Sequence, residues 1–145
     1  GIKMRWPRPD PVVQNLMTRE IADEQPLIHR VCRLGQAASR RGRGLAFADE
    51  VSKIIWSGDV DEWDQGDHLA AAAHRAGVDF SEIDAEAAKD AAALDAEIAS
   101  NQNSLEASGH WGVPTLVFDG EPFFGQDRID TVVWRMKQKG LTSRA

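Results

Sequence analysis

Apolar residues recur at helical spacing through most of this chain and at strand spacing only towards its two ends. Ile2, Met4 and Trp6 alternate with Lys3 and Arg5, which predicts a strand over 2–6. Pro7, Pro9 and Pro11 then forbid regular structure and predict a stiff, extended connection. Val12 to Glu24 reads as a helix that stops before Pro26. Pro26 suits the first turn of a new helix, where its missing N–H would be unpaired anyway. Leu27, Ile28, Val31, Leu34 and Ala38 follow at helical spacing, up to a stop at Arg40-Arg41-Gly42-Arg43-Gly44. Those arginines complement a helix C-terminus, and they remain open to a second role in attracting an anionic substrate.

The pattern repeats from Leu45 to Ser57, with Phe47, Val51, Ile54 and Ile55 on one face and Gly58 as the stop. Residues 59–66 read as a turn that contains Trp63. Asp67 suits the cap of a short helix from His68 to Ala76, closed by Gly77. Val78 and Phe80 lead into an acidic, alanine-rich helical region from Ser81 to about Ala107. Its apolar positions are Ala87, Ala91, Leu94, Ile98 and Leu105.

The most specific stretch is 109–128. A glycine-flanked turn ends in Val113-Pro114, and a short apolar strand follows from Thr115 to Phe118. Asp119-Gly120 is the strongest two-residue hairpin signal, because both positions accept positive φ. A second strand, Pro122 to Phe124, runs through Gly125-Gln126 into a helix from Asp127 to about Lys139. Ile129, Val132, Val133 and Met136 form its apolar stripe. Gly140 suits the cap, with Leu141 as the hydrophobic contact after it. Asp127, with Asp130 three residues on, suits an N-cap. A capping carboxylate keeps a spare oxygen, so a ligand role stays open beside it.

Gly112-Val113-Pro114-Thr115, the Asp119-Gly120 hairpin and Phe124-Gly125-Gln126-Asp127-Arg128, in that order and spacing, carry a resemblance. The chain resembles the 2-hydroxychromene-2-carboxylate isomerase, kappa-class glutathione transferase and DsbA-like group. The resemblance is concentrated in 109–141 and extends more loosely over the helical middle. It implies an α/β, thioredoxin-like fold of the DsbA/kappa type. One thioredoxin-like domain over 1–145 is expected to be partial. A large all-helical insertion spans about 12–108, and a closing hairpin and helix span about 112–141. Such proteins open with a strand and helix that have no counterpart here, since Gly1 to Trp6 looks like their second strand. The nucleophile-handling residue, a serine or a CxxC, is therefore expected upstream of Gly1. Without the central strand between 2–6 and the hairpin, sheet edges are left open, and a homodimer is the expected cover.

The resemblance also implies site roles. Residue types alone leave Pro114 between an ordinary trans turn and a cis bond, and the resemblance implies cis. It implies that the Val113 backbone receives the cysteinyl part of glutathione, as an extended peptide adds to a strand. Gln126 and Asp127 would hold the γ-glutamyl group at a helix start, with Arg128 beside them. Trp6, Arg8 and Asn15, around the proline-rich segment, would line the substrate side of a cleft. A surface linker whose tryptophan merely packs on the core fits the same residues. A PxxP-type partner ligand is a third reading of that segment. His110 and Trp111 stand just ahead of the Val-Pro step and suit the rim of such a cleft, although packing alone would also account for Trp111.

Charge and composition narrow the classes. In 145 residues the net charge is −6, which opposes a nucleic-acid surface. No apolar run approaches a membrane span and no signal-peptide pattern starts the sequence, so the expected compartment is cytoplasmic. The four histidines lack zinc-site spacing, and Asp59, Asp61, Glu62 and Asp64 lack the glycine and positions of a calcium loop, so no metal is expected. Cys32 is the one cysteine, and a buried, inert thiol is expected of it.

Three functions follow. The first is a glutathione-dependent isomerase or transferase of the 2-hydroxychromene-2-carboxylate isomerase type, acting on a small aromatic-ring-cleavage product. The second is a DsbA-like thiol–disulfide oxidoreductase, which requires a CxxC. The third is a non-catalytic helical binding module or an inactive fragment.

Overall fold

The computed structural model describes residues 3–143. Among these, the chain forms six α-helices, one short 3-10 turn and one two-stranded antiparallel sheet. It divides into two compact units, Gly1–Ile98 and Ala99–Ala145.

The first unit is helical. Helix α1 spans Pro26–Arg40, α2 Gly44–Trp56, α3 His68–Arg75, α4 Phe80–Lys89, and α5 Ala91–Ala107 starts within it. Pro26 occupies the first turn of α1. Gly42 and Gly77 take positive φ where α1 and α3 end, as the glycine stops require. Leu34, Phe47, Ile83 and Leu94 are fully buried in its core. Each such side chain contributes about 1.5–3 kcal/mol of transfer free energy. Alanines 37, 38, 72 and 73 are also fully buried, which lets the helices approach closely. Trp63, at 1 % exposure, is the largest buried side chain. Its indole Nε1–H donates to the Pro9 carbonyl at 2.8 Å and pins the proline-rich segment to the core.

Several expectations are corrected here. Residues 3–6 form no strand, because no neighbouring strand among the described residues offers a ladder; Ile2, where the strand was expected to begin, lies outside them. Instead the Arg5 N–H donates to the Trp56 carbonyl at 2.8 Å, and Lys3 and Arg5 pair with Asp59 and Asp61. Nor do residues 12–24 form a helix. Gln14 and Ile21 form an isolated antiparallel bridge. Asn15 Oδ1 accepts from the N–H groups of Met17 and Thr18 at 2.9 and 3.2 Å, offering that backbone an alternative to helical bonds. Gln25 closes the loop, with Nε2 donating to the carbonyls of Val13 and Ala22 at 2.8 and 2.7 Å.

The region expected as one helix from Ser81 is two. Asp90 closes α4, its N–H donating to Glu86 at 2.8 Å, and its own carbonyl starts α5. Asp67 stands at the start of α3 but its side chain makes no capping bond. Asp79 is the working cap, accepting from the N–H groups of Ser81 and Glu82 ahead of α4.

The second unit holds β1 (Thr115–Phe118), β2 (Glu121–Phe124), a 3-10 turn over Gln126–Arg128 and α6 (Ile129–Gln138). Thr115 pairs with Phe124 and Phe118 with Glu121. Asp119 and Gly120 make the turn with φ of 53° and 77°, as a two-residue primed turn demands. Phe123 on β2 and Val132 on α6 are buried. Arg135 pairs with Glu121 and Lys139 with Asp119, both at 2.8 Å, which ties α6 to the hairpin. The end of α6 has paired bonds, Gly140 N–H to Lys137 and Leu141 N–H to Met136, the closing pattern of a helix capped by glycine. The expected stripe of α6 is corrected in part: Val132 is buried, but Ile129 and Val133 are exposed.

Candidate thiol-peptide site around the Val113–Pro114 step

The loop ahead of β1 can be accounted for group by group. The Val113–Pro114 peptide bond is cis. Gly112 N–H donates to His110 Nδ1 at 2.8 Å, and the Thr115 hydroxyl donates to the Gly112 carbonyl at 2.5 Å. The Pro114 carbonyl accepts from the Gly125 N–H at 2.9 Å. That leaves the Val113 N–H and C=O without a partner among the described residues, and the Val113 side chain is 77 % exposed. Unpaired backbone groups in this posture can take an added extended segment.

The bond from Gly125 to Pro114 brings the second half of the site beside the first. Gly125 opens the 3-10 turn with φ 102° and ψ 148°, and no side chain caps it. The expectation that Asp127 caps the helix is therefore corrected. The N–H groups of Gln126 and Asp127 have no partner among the described residues. The Asp127 carboxylate and Arg128 guanidinium stand 3.6 Å apart and both are exposed. The structure thus gathers Val113, Pro114, Gln126, Asp127 and Arg128 in one unit.

Trp6 and Asn15 lie in the other unit. Trp6 is half exposed, its ring edge-on to Trp56 at 6.0 Å. The Asn15 carboxamide oxygen is occupied by its own turn. Arg8 is exposed, and its carbonyl accepts from Glu62 at 2.7 Å. Arg40 and Arg41 are not offered to an anionic ligand. Arg41 pairs with Glu86, and Arg40 with Glu86 and Glu97, and these guanidiniums draw both carboxyls below their usual range. No group of three metal-ligating side chains occurs among the described residues.

Trp111 stands outside any core packing and at the rim. Trp111 is 82 % exposed rather than buried. Its ring stacks on His110 at 5.8 Å, and His110 stacks on Phe124 at 4.1 Å. The acceptor role of His110 has a signal in sequence only in hindsight, since a ring nitrogen two residues before an N–H imitates an asparagine turn. Cys32 is exposed, correcting the buried thiol; partial shielding of the sulfur and then the Asp95 charge push its pKa up.

A family model, the DSBA-like thioredoxin domain, matches residues 21–137. The chain belongs to that family. This DsbA-like domain has the helix-rich α/β character expected of a thioredoxin-like fold. No curated protein and no solved structure matches it. No described helix is long and apolar enough to cross a membrane.

Proposed function

We propose that this DsbA-like domain holds glutathione for an isomerase or transferase of the 2-hydroxychromene-2-carboxylate isomerase type, acting on an aromatic-ring-cleavage product. The observation that carries this reading is the pairing of an open Val113 backbone with an exposed Asp127–Arg128 couple one short turn away. An extended thiol peptide can bond the Val113 N–H and C=O through its cysteinyl main chain. A γ-glutamyl end carries an ammonium and a carboxylate together. Asp127 accepts from the ammonium, while Arg128 and the free N–H groups of Gln126 and Asp127 donate to the carboxylate. These residues fit the group in charge and in hydrogen-bonding sense. When bound, glutathione supplies a thiolate that adds to and leaves an unsaturated carbonyl compound, so that a bond rotates with no net oxidation. The chain's residues named here bind and orient, and none is assigned to the thiolate.

Calorimetry with glutathione tests the reading. Asp127→Ala is expected to weaken binding by about tenfold or more, the worth of a hydrogen bond to a charged group. Absence of binding by the unaltered protein would overturn it. Family membership also favours a second reading, a DsbA-like thiol–disulfide oxidoreductase that offers Val113 to a substrate peptide. That reading requires a CxxC beyond the one cysteine here, and sequence upstream of Gly1 that supplies one, with no glutathione affinity, would select it.

A further inference from the structure

We propose that His110 is a positioning residue that holds Val113 towards the ligand by satisfying the buried Gly112 N–H and so fixing the 110–114 run. The ligand named here rests on the glutathione reading above; the positioning itself does not.

Across 112–114 the backbone carries two N–H donors and three C=O acceptors, since Pro114 has no N–H. The Gly112 carbonyl is taken by Thr115, and that of Pro114 by Gly125. His110 Nδ1 takes the Gly112 N–H at 2.8 Å. What remains is one donor and one acceptor, both on Val113. In this bond the Nδ1 lone pair is the acceptor.

The ring is held for this task. Phe124 lies against it at 4.1 Å with planes 17° apart, and Trp111 lies 5.8 Å away at 18°. Gly112 completes the arrangement, because a Cβ there would meet Phe124 Cε2 at 2.5 Å and His110 Cε1 at 3.0 Å. Without the Nδ1 acceptor, the buried Gly112 N–H is left without a partner. The 110–114 run also loses the bond that fixes its orientation.

Asparagine separates this acceptor role from ring packing. Its Oδ1 is as many bonds from Cα as Nδ1 and bonds an N–H two residues on. Phenylalanine keeps the stack and removes the acceptor. Calorimetry with glutathione is expected to show His110→Phe weakened roughly five- to tenfold, with His110→Asn within about twofold of the unaltered protein. Amide NMR is expected to show the Gly112 and Val113 signals displaced in His110→Phe and restored in His110→Asn. His110→Leu is a second acceptor-free variant should the first not fold, and circular dichroism checks each fold. Equal weakening of His110→Asn and His110→Phe, or no change in either, overturns the proposal. Failure of the unaltered protein to bind glutathione overturns the functional reading instead. The amide signals then decide: unmoved Gly112 and Val113 signals in His110→Phe overturn the positioning role.

Discussion

The Gly125 N–H donates to the Pro114 carbonyl at 2.9 Å, one step beyond the Thr115–Phe124 pair that ends the sheet. This bond joins the cis step to the start of the 3-10 turn. Gly125 can make it only with φ 102° and ψ 148°, a region closed to side chains, and Asp127 Oδ1 sits where its Cβ would go. Gly125→Ala is expected to destabilise the protein by about 1–3 kcal/mol in urea unfolding. It should also weaken glutathione binding by displacing Asp127. Unchanged stability with unchanged binding would contradict the role given to this bond.

Gly112 faces a different constraint, the Phe124 ring rather than φ. Gly112→Ala is expected to destabilise by about 1–3 kcal/mol, the range for overpacking. Adding Phe124→Leu should recover part of that loss, because the two positions share one space. Additive losses in the double variant would show that the clash is not the cause.

Much of this was legible from local chemistry. Asp119-Gly120 announced the hairpin, Pro26 the start of α1, and Gly42, Gly77 and Gly140 the helix ends, since each signal acts through its own backbone. What failed depended on partners. Met4 and Trp6 alternate like a strand, but alternation makes no ladder without a neighbour. Val12 to Glu24 reads as a helix, yet Asn15 and Gln25 bond that backbone into a loop. In the candidate site, Val113, Pro114 and the 126–128 turn were visible as a motif. The His110 bond was not, because a ring nitrogen's partner depends on how the loop folds.

Trp63 tests how the proline-rich segment is held. Trp63→Phe keeps much of the ring but leaves the Pro9 carbonyl without its donor. A loss of about 1–3 kcal/mol is expected in urea unfolding, against about 3–5 for Trp63→Ala. No loss in Trp63→Phe would mean that the indole N–H contributes nothing beyond packing.

Cys32 should react slowly for an exposed thiol. Its pKa is raised by partial shielding and by Asp95, so less thiolate is present at neutral pH. Iodoacetamide labelling is expected to lag behind a free cysteine peptide and to quicken in Asp95→Asn. Since shielding is the larger cause, the gap should close only in part. Labelling at peptide rates in the unaltered protein would refute this.

The helical unit should weaken in acid through Glu86. Arg41 and Arg40 hold this carboxyl below its usual range, and its side chain is 16 % exposed, so solvent screens it less than its neighbours. Asp95 and Glu97 are lowered in the same sense by Arg33 and Arg40. A folded-state pKa below the unfolded one gives stability that is present above the unfolded value, near 4.3 for glutamate. That stability drains away as pH falls through the folded value. Glu86→Gln is therefore expected to lower Tm at pH 7 and to match the unaltered protein near pH 2, where both side chains are neutral. The gap at pH 7 should also narrow in about 1 M salt, where screening reaches a few ångströms. A Tm difference that persists undiminished into strong acid would show that Glu86 acts through packing and not through its charge.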